Sequence, residues 1–458
     1  METDSSYSET QSVISIETVE TIESSVSELQ DISETDIADI AEDVLHQIDE
    51  YMKNNIIEIS SPKFYETMIQ HIANILLTEW EYAGFDIDAE VEEELSDFIE
   101  HILDSYSMTS IIPKRSRKYT TDLLDPTGGS TNMEILTRKI EELQRIPQPK
   151  QKTKEWYEFR YGLLSASSIW KALGSDSQVN SLIYEKCKPM SEEGFSTSTE
   201  SAMHWGNKYE PVTVMIYEAI YNTTVGEFGC IRHPKYPFIG ASPDGINIDP
   251  SNPTRFGRML EIKNIFNREI TGTPKQEYWI QTQVQMEVCD LDDCDFMETR
   301  FLEYNDEAEF YQDTEREHRG VILHFIEKNF TRGSQPVYKY MPFSIAPSLD
   351  IDSINTWVSD TKEQMKSDGL LLFTRIYWKL DEYSCVLIQR NHDWFQSAAP
   401  KFKSVWETIE KERVEGYEHR ASKKRGIKSL AISQDASMNY VVQNMPLTNS
   451  ICLVKLDC

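Results

Sequence analysis

The side chains best suited to do chemistry gather in one stretch, GASPDGINIDPSNPTRFGRMLEIKN, residues 240–264. Pro243-Asp244 stands in a Gly-flanked turn, and Glu261 and Lys263 lie two residues apart in an otherwise apolar run. Apolar positions alternate in MLEIKN, so Leu260 and Ile262 face one side of a strand and Glu261 and Lys263 the other. Half-buried charges are costly unless paired or bound to a metal. If this strand pairs with one that begins or ends at the Asp244 turn, the two carboxylates converge with Lys263 beside them. Two carboxylates and a backbone carbonyl form a hard oxygen site suited to Mg2+ or Mn2+. The ion offsets the repulsion, while Lys263 polarises a water or steadies charge developing on a phosphate. Taken singly, an Asp in a turn and a Glu-x-Lys on a strand are ordinary surface features. Together, with apolar flanks and a short connection, they point to catalysis.

The elements that must position these groups read as mixed α/β. From 155 to about 300, helical and strand patterns alternate. VILHFIEK and PVYKYMPF read as strands, and 351–366 as a helix. LLLFTRIYWKL and SCVLIQR, joined by DEY, read as a β-hairpin, and 393–418 as a closing amphipathic helix. MEILTRKIEELQRI predicts a helix just before PQPKQK. Upstream, Ile37-Ile40-Val44-Ile48, Phe64-Met68-Ile72-Leu76 and Leu95-Phe98-Ile99-Ile102 mark three amphipathic helices. The expected organisation is a disordered acidic tail (1–34), an acidic helical bundle (35–110), a linker (111–132), the main domain with a C-terminal extension (133–420) and a tail (421–458). The basic run KRSRK in the linker reads as solvated linker, DNA contact or nuclear import signal.

Composition narrows the class. The chain has 458 residues and a net charge of −32, which looks hostile to nucleic acid. However, residues 1–110 hold 28 acidic and 2 basic residues, and the remainder 49 and 43, so the main domain is close to neutral. It can carry a basic groove. No run of about 18 apolar residues predicts a membrane span. METDSSYSET lacks the basic start and apolar centre of a signal peptide, so an intracellular location is expected. Seven scattered cysteines argue against a disulfide framework, and only Cys289 and Cys294 form a close mid-chain pair.

Four ordered blocks over about residues 154–304 resemble one family. They are WYEFRYGLLSASSIW, AMHWGNKYEPVTVMIYE, the ASPDGI and LEIKN halves of the stretch above, and YWIQTQVQMEV. The sequence resembles the PD-(D/E)XK nuclease superfamily, and more narrowly its lambda-exonuclease-like, YqaJ-type viral recombinase family as found in large DNA viruses. The resemblance implies a restriction-endonuclease-like α/β core, a mixed central sheet flanked by helices, carrying the acidic helices as an appendage. It places Glu210 near the metal site with Asp244, Glu261 and the Ile262 carbonyl as ligands. Tyr278 and Gln281, three residues apart on one helical face, and also Gln283, go to the active-site edge. Arg160 and Ser167 match positions that hold a terminal 5′ phosphate. A guanidinium and a hydroxyl bind phosphate oxygens well, although Arg160 could instead pair with Glu155 or Glu158.

The implied activity is hydrolysis of linear duplex DNA, 5′ to 3′, with two Mg2+ or Mn2+ ions, in viral recombination or repair. Implied partners are DNA ends, a single-strand annealing protein and further copies in a homotrimer. The implied compartment is the host nucleus or a cytoplasmic viral replication site. The alternatives are an inactive DNA-binding or assembly protein, a site-specific or structure-specific endonuclease, and an iron–sulfur nuclease; the cysteine spacing does not favour the last.

Overall fold

The computed structural model describes residues 34–109, 113–118, 133–190, 201–328, 336–345 and 350–421. Apart from Glu34, the expected disordered tail lies outside the described residues, as do most of the linker and the C-terminal tail beyond Ala421.

Three helices open the described chain: α1 (Glu34–Asn54), α2 (Phe64–Ala83) and α3 (Ala89–Thr109). They bury Val44 and Ile48, Phe64, Met68, Ile72 and Leu76, and Leu95, Ile99 and Ile102, the apolar stripes of the sequence. α2 stops at Gly84, whose φ of 93° supplies the left-handed residue that closes a helix C-terminus. Charge sets these helices apart from the rest of the chain, but packing does not. Their apolar side chains belong to the same core as Trp279, Trp394, Phe395 and Phe402. Arg115, the second residue of KRSRK, is part of that joint rather than of a solvated linker or a DNA contact. It is buried, donates to the Ser60 and Pro274 carbonyls, and its own carbonyl accepts from Trp279 Nε1 at 2.7 Å. Loss of water pulls its guanidinium down to about 10.

After β1 (Arg117–Lys118) come α4 (Met133–Arg145), α5 (Lys154–Tyr161), β2 (Leu164–Ser165), α6 (Asp176–Cys187) and α7 (Ala202–Tyr221). The strands β3 (Val225–Gly226), β4 (Ile231–Arg232), β5 (Ile239–Ala241), β6 (Gly245–Asn247) and β7 (Met259–Ile265) lead into α8 (Gln276–Cys289). Then follow β8 (Asp293–Glu303), β9 (Arg319–Glu327), β10 (Val337–Tyr340), α9 (Ile351–Ser367), β11 (Leu370–Gln389) and α10 (His392–Glu415). The main sheet runs β10-β9-β11-β8-β7-β6-β3, with β1 laid along β11. Its β7–β8 pair is parallel and its other pairs antiparallel, so the sheet is mixed. A small second sheet joins β2, β5 and β4.

β7 divides the interior. Leu260 and Ile262 pack with Tyr209, Val212 and Ile216 of α7, whereas Met259 packs in the core that holds Trp279, Ile280 and Val284 of α8. The period-two alternation therefore gives α7 one face of the sheet and α8 the other. α8 is buried nearly all round, which explains its lack of a polar stripe.

The expected hairpin at 370–389 is not formed. These residues make one long strand, β11, whose first half pairs with β9 and second half with β8. A tight hairpin needs left-handed residues at its turn, and Asp381, Glu382 and Tyr383 have none. Instead the register shifts between Leu372 and Thr374 and between Leu380 and Glu382, as bulges that bend the strand. The acidic residues that looked like a turn are paired along it: Arg300 donates to Asp381 at 2.8 Å and to Glu382 at 2.6 Å.

Candidate active site

Asp244 and Glu261 meet because β6 and β7 pair antiparallel with Gly245 opposite Leu260. That register sets Asp244 across from Glu261. The Ile262 N–H donates to Asp244 Oδ2 at 2.8 Å and fixes the Asp244 carboxylate on β7. Gly245 must be glycine, because a Cβ there would sit 2.1 Å from Val225 Cγ1 on the neighbouring strand.

Glu261 is 1% exposed. Its Oε1 accepts from Lys263 and from Gln281 Nε2 (2.6 Å), and its Oε2 from Gln285 Nε2 (2.7 Å). A buried carboxylate is tolerated only when its lone pairs are satisfied in this way. Lys263 also approaches Gln281 Oε1 at 3.4 Å and lies 5.0 Å from the Tyr278 ring centroid. Burial alone would lower the Lys263 ammonium, but Glu261 and Asp244 outweigh it and hold its pKa above the usual value. Lys263 is therefore a fixed positive charge and hydrogen-bond donor here, not a resting base.

Asp244 shows the opposite imbalance. Burial, then Glu261, then Glu210 push its pKa well above the ordinary carboxylate range, against the pull of Lys263 and the Ile262 N–H. The site thus carries more negative charge than its own cations neutralise. That excess, on hard oxygen donors from Asp244 and Glu261 with Glu210 close by, fits a divalent cation of the Mg2+ type. The side chains as they stand are not wrapped round an ion: no group of three acidic, His or Cys side chains among the described residues is gathered tightly enough.

A second polar cluster adjoins it. Arg160, at the end of α5, donates to Ser167 Oγ at 2.9 Å and Ser165 Oγ at 3.2 Å, with its guanidinium 4.2 Å from the Trp156 ring centroid. The alternative partners Glu155 and Glu158 are not engaged; Glu158 pairs with Lys154 at 3.6 Å. Burial lowers the Arg160 guanidinium, and no carboxylate among the described residues pairs with it. The Lys186 ammonium donates to the Arg160 carbonyl at 2.8 Å. A partly desolvated guanidinium beside hydroxyls, with a second cation at hand, is the composition of an anion site. Ser242 couples the two clusters: its Oγ accepts from Trp156 Nε1 (3.1 Å) and its carbonyl from Gln285 Nε2 (3.4 Å).

Residues 155–292 match the family model of the YqaJ-like viral recombinase domain. Over this stretch the chain is similar to the YqaJ-like viral recombinase domain. It is also similar to the uncharacterized protein R354 of Acanthamoeba polyphaga mimivirus, 28% identical over 303 residues, or 59% of this chain and 54% of that one. The chain thus spans about half the length of that relative, whose source agrees with the resemblance to large-DNA-virus members. Among solved structures, an alkaline exonuclease from Laribacter hongkongensis aligns at 18% identity with a TM-score of 0.33, covering 57% of this chain and 94% of that one. A phage related exonuclease from Haemophilus somnus aligns at 14% identity with a TM-score of 0.30, covering 55% and 96%.

The fold brings together most, not all, of the residues singled out in the sequence. Asp244, Glu261, Lys263, Tyr278 and Gln281 share one site, with Glu210 at its margin on α7. Gln283 does not join them. Its Nε2 donates to the Gln389 carbonyl (2.8 Å) and its Oε1 accepts from the Asn391 N–H (2.7 Å), so it ties α8 to the start of α10. The helical period gives the reason: 281 and 285 share a face, and 283 points to the other side. Gln285 is the residue the sequence reading passed over, although its i+4 spacing from Gln281 announced it. Glu298 and Arg268 were also missed. Glu298 pairs in register with Lys263 across β7–β8, is buried, and is neutralised by Arg268. Arg268 lies 5.8 Å from the Tyr278 ring centroid. Neither belongs to a spacing pattern; only the parallel β7–β8 register makes them neighbours of the site.

Proposed function

We propose that this chain is a metal-dependent deoxyribonuclease that degrades linear duplex DNA from an end, in the 5′-to-3′ direction, during viral recombination or repair. The observation that carries the reading is the coupling of two chemistries through Ser242: a charge-excess carboxylate pair with a fixed ammonium, and a guanidinium–hydroxyl pocket. The YqaJ-like domain over the same residues supports it.

Asp244, Glu261 and the Ile262 carbonyl would hold a divalent cation, Mg2+ or Mn2+, with Asp244 shared toward a second and Glu210 beside them, as a ligand or through a bound water. When bound, such ions supply a nucleophilic water near neutral pH and polarise the phosphoryl group. The chain's own residues do the rest. Gln281 and Gln285 hold the Glu261 carboxylate in one orientation. Lys263 keeps its proton and places positive charge where the phosphorane-like transition state gains negative charge. Arg160, Ser165 and Ser167 bind the terminal phosphate and so select an end over an internal position. Cleavage at the backbone needs no base readout. DNA ends are the substrate partner; a strand-annealing protein and a homotrimer encircling the duplex complete the proposal, at a host nuclear or cytoplasmic replication site.

The test is time-resolved digestion of end-labelled linear duplex with magnesium and with a chelator, beside a closed-circular duplex. Magnesium-dependent loss of label from the 5′ end, with the circle left intact, is expected. Cleavage of the circle at a comparable rate points to an endonuclease; no cleavage of either DNA refutes the reading.

A further inference from the structure

The segment Gln148–Thr153, between α4 and α5, is held in a conformation that its sequence does not favour. Lys152 has φ of 66°, in the left-handed region. For a residue with a long side chain this conformation is strained and persists only where the surroundings impose it. Here they do. Gln148 Oε1 accepts from the Gly229 N–H at 2.5 Å, and its Nε2 donates to the Leu143 carbonyl at 2.8 Å. Gln151 Nε2 donates to the Phe228 carbonyl at 3.0 Å and to the Pro243 carbonyl at 3.1 Å. Gly229 admits this close passage, since a Cβ there would lie 2.4 Å from the Pro149 carbonyl oxygen. Immediately afterwards Thr153 caps α5, its hydroxyl accepting from the Trp156 N–H at 3.3 Å.

Two glutamine side chains therefore fasten the segment, Gln148 to Gly229 and Gln151 to the Pro243 carbonyl next to Asp244, and the forced residue between them and the α5 cap is Lys152. Its ammonium reaches Glu210 Oε2 at 3.2 Å. Lys152 stands at the start of α5, whose far end bears Arg160, so one short helix links the carboxylate cluster to the anion pocket. A half-exposed ion pair contributes little to stability and does not by itself offset the strain.

We propose that Lys152 is a backbone-phosphate contact for the DNA strand entering the site, placed between Glu210 and the Arg160 pocket, and that its pair with Glu210 is its resting state without DNA. This rests on the nuclease reading above. An approaching strand must pass Asp244, Glu261 and Glu210, and Lys152 is the cation set against that repulsion on the Glu210 side.

The experiment measures equilibrium binding of a 5′-phosphorylated duplex to the full chain, with Ca2+ replacing Mg2+ to suppress cleavage, over a series of salt concentrations. Lys152→Gly and Lys152→Gln should each weaken binding several-fold and reduce the slope of log K against log salt by about 0.9, the value for one lost phosphate contact. Lys152→Arg should keep the wild-type slope. Lys152→Gly, which relieves the left-handed strain, should melt no lower than wild type, so its lost affinity cannot come from misfolding. Wild-type affinity and slope in Lys152→Gly and Lys152→Gln overturn the proposal while leaving the nuclease reading intact. Failure of the wild-type chain to bind any duplex overturns both.

Discussion

Replacing Gln285 by Leu tests whether the active site is built on one face of α8. Gln285 donates to Glu261 Oε2 at 2.7 Å, and Glu261 is 1% exposed. Leu fills similar volume but leaves that carboxylate oxygen without its donor in a place water hardly reaches. A hydrogen bond to a buried charged group is worth about 1.5–3 kcal/mol. Gln281 and Lys263 still hold the other oxygen, so the carboxylate stays in the site but is free to turn. If the loss falls on the transition state, turnover drops about 10- to 100-fold. Duplex affinity should hardly change, because Gln285 lies beneath the carboxylate. Gln283→Leu is the matched control, two residues away on the opposite face. It strands the Asn391 N–H and the Gln389 carbonyl, at about 1–3 kcal/mol for each group, so Tm should fall while turnover per folded molecule is kept. The assay is single-turnover digestion of end-labelled duplex beside thermal melts of both variants. Wild-type turnover in Gln285→Leu, or an equal catalytic loss in the two variants, refutes the assignment of roles along α8.

Other outcomes follow from the same geometry. Lys263→Ala should lower single-turnover cleavage roughly 10²- to 10³-fold, as loss of one preorganised donor does elsewhere, with duplex binding largely retained; full activity would defeat its role. Burial beside Arg160 and Arg413 pulls the Lys186 ammonium down to about 8. Lys186 is thus charged below that pH and neutral above it, so preference for 5′-phosphorylated over 5′-hydroxyl ends should be full near neutrality and decline above about pH 8. A bound phosphate moves this window upward, and Lys186→Met should flatten the profile; a pH-independent wild-type preference counts against Lys186 as part of the pocket. Arg268→Ala strands the buried Glu298 charge and should cost about 3–5 kcal/mol, whereas the double change to Arg268→Met and Glu298→Leu should recover most of it. Equal melting of the single and double variants would show that the pair is not buried as a unit.

Local pattern in the sequence was enough for much of this. Alternation in MLEIKN set Glu261 and Lys263 on one face, and the Pro/Gly turn at Asp244 put a strand end in reach of them. The apolar stripes of α1, α2 and α3 were legible because helix periodicity is a property of neighbours along the chain. The mixed α/β class was legible for the same reason. The DEY segment misled because acidic residues in a strand look like a turn until their partners are known. Arg300 and Arg316, which supply those partners, lie far away in sequence.

Sequence by itself determined which residue types stand on which face of each element, and hence the Asp244–Glu261–Lys263 set; the Arg160–Ser167 pair followed only from the family resemblance. Tertiary structure alone decided which faces meet: that the Gln281–Gln285 face of α8 closes on Glu261, that Glu298 lies beside Lys263, that Arg115 is a buried clamp, and that the acidic helices share the central core. The physical reason is one of range. Periodicity is fixed by bonds between neighbouring residues, whereas sheet register and the closure of one helix on another are fixed by contacts between residues distant along the chain, which no local pattern records.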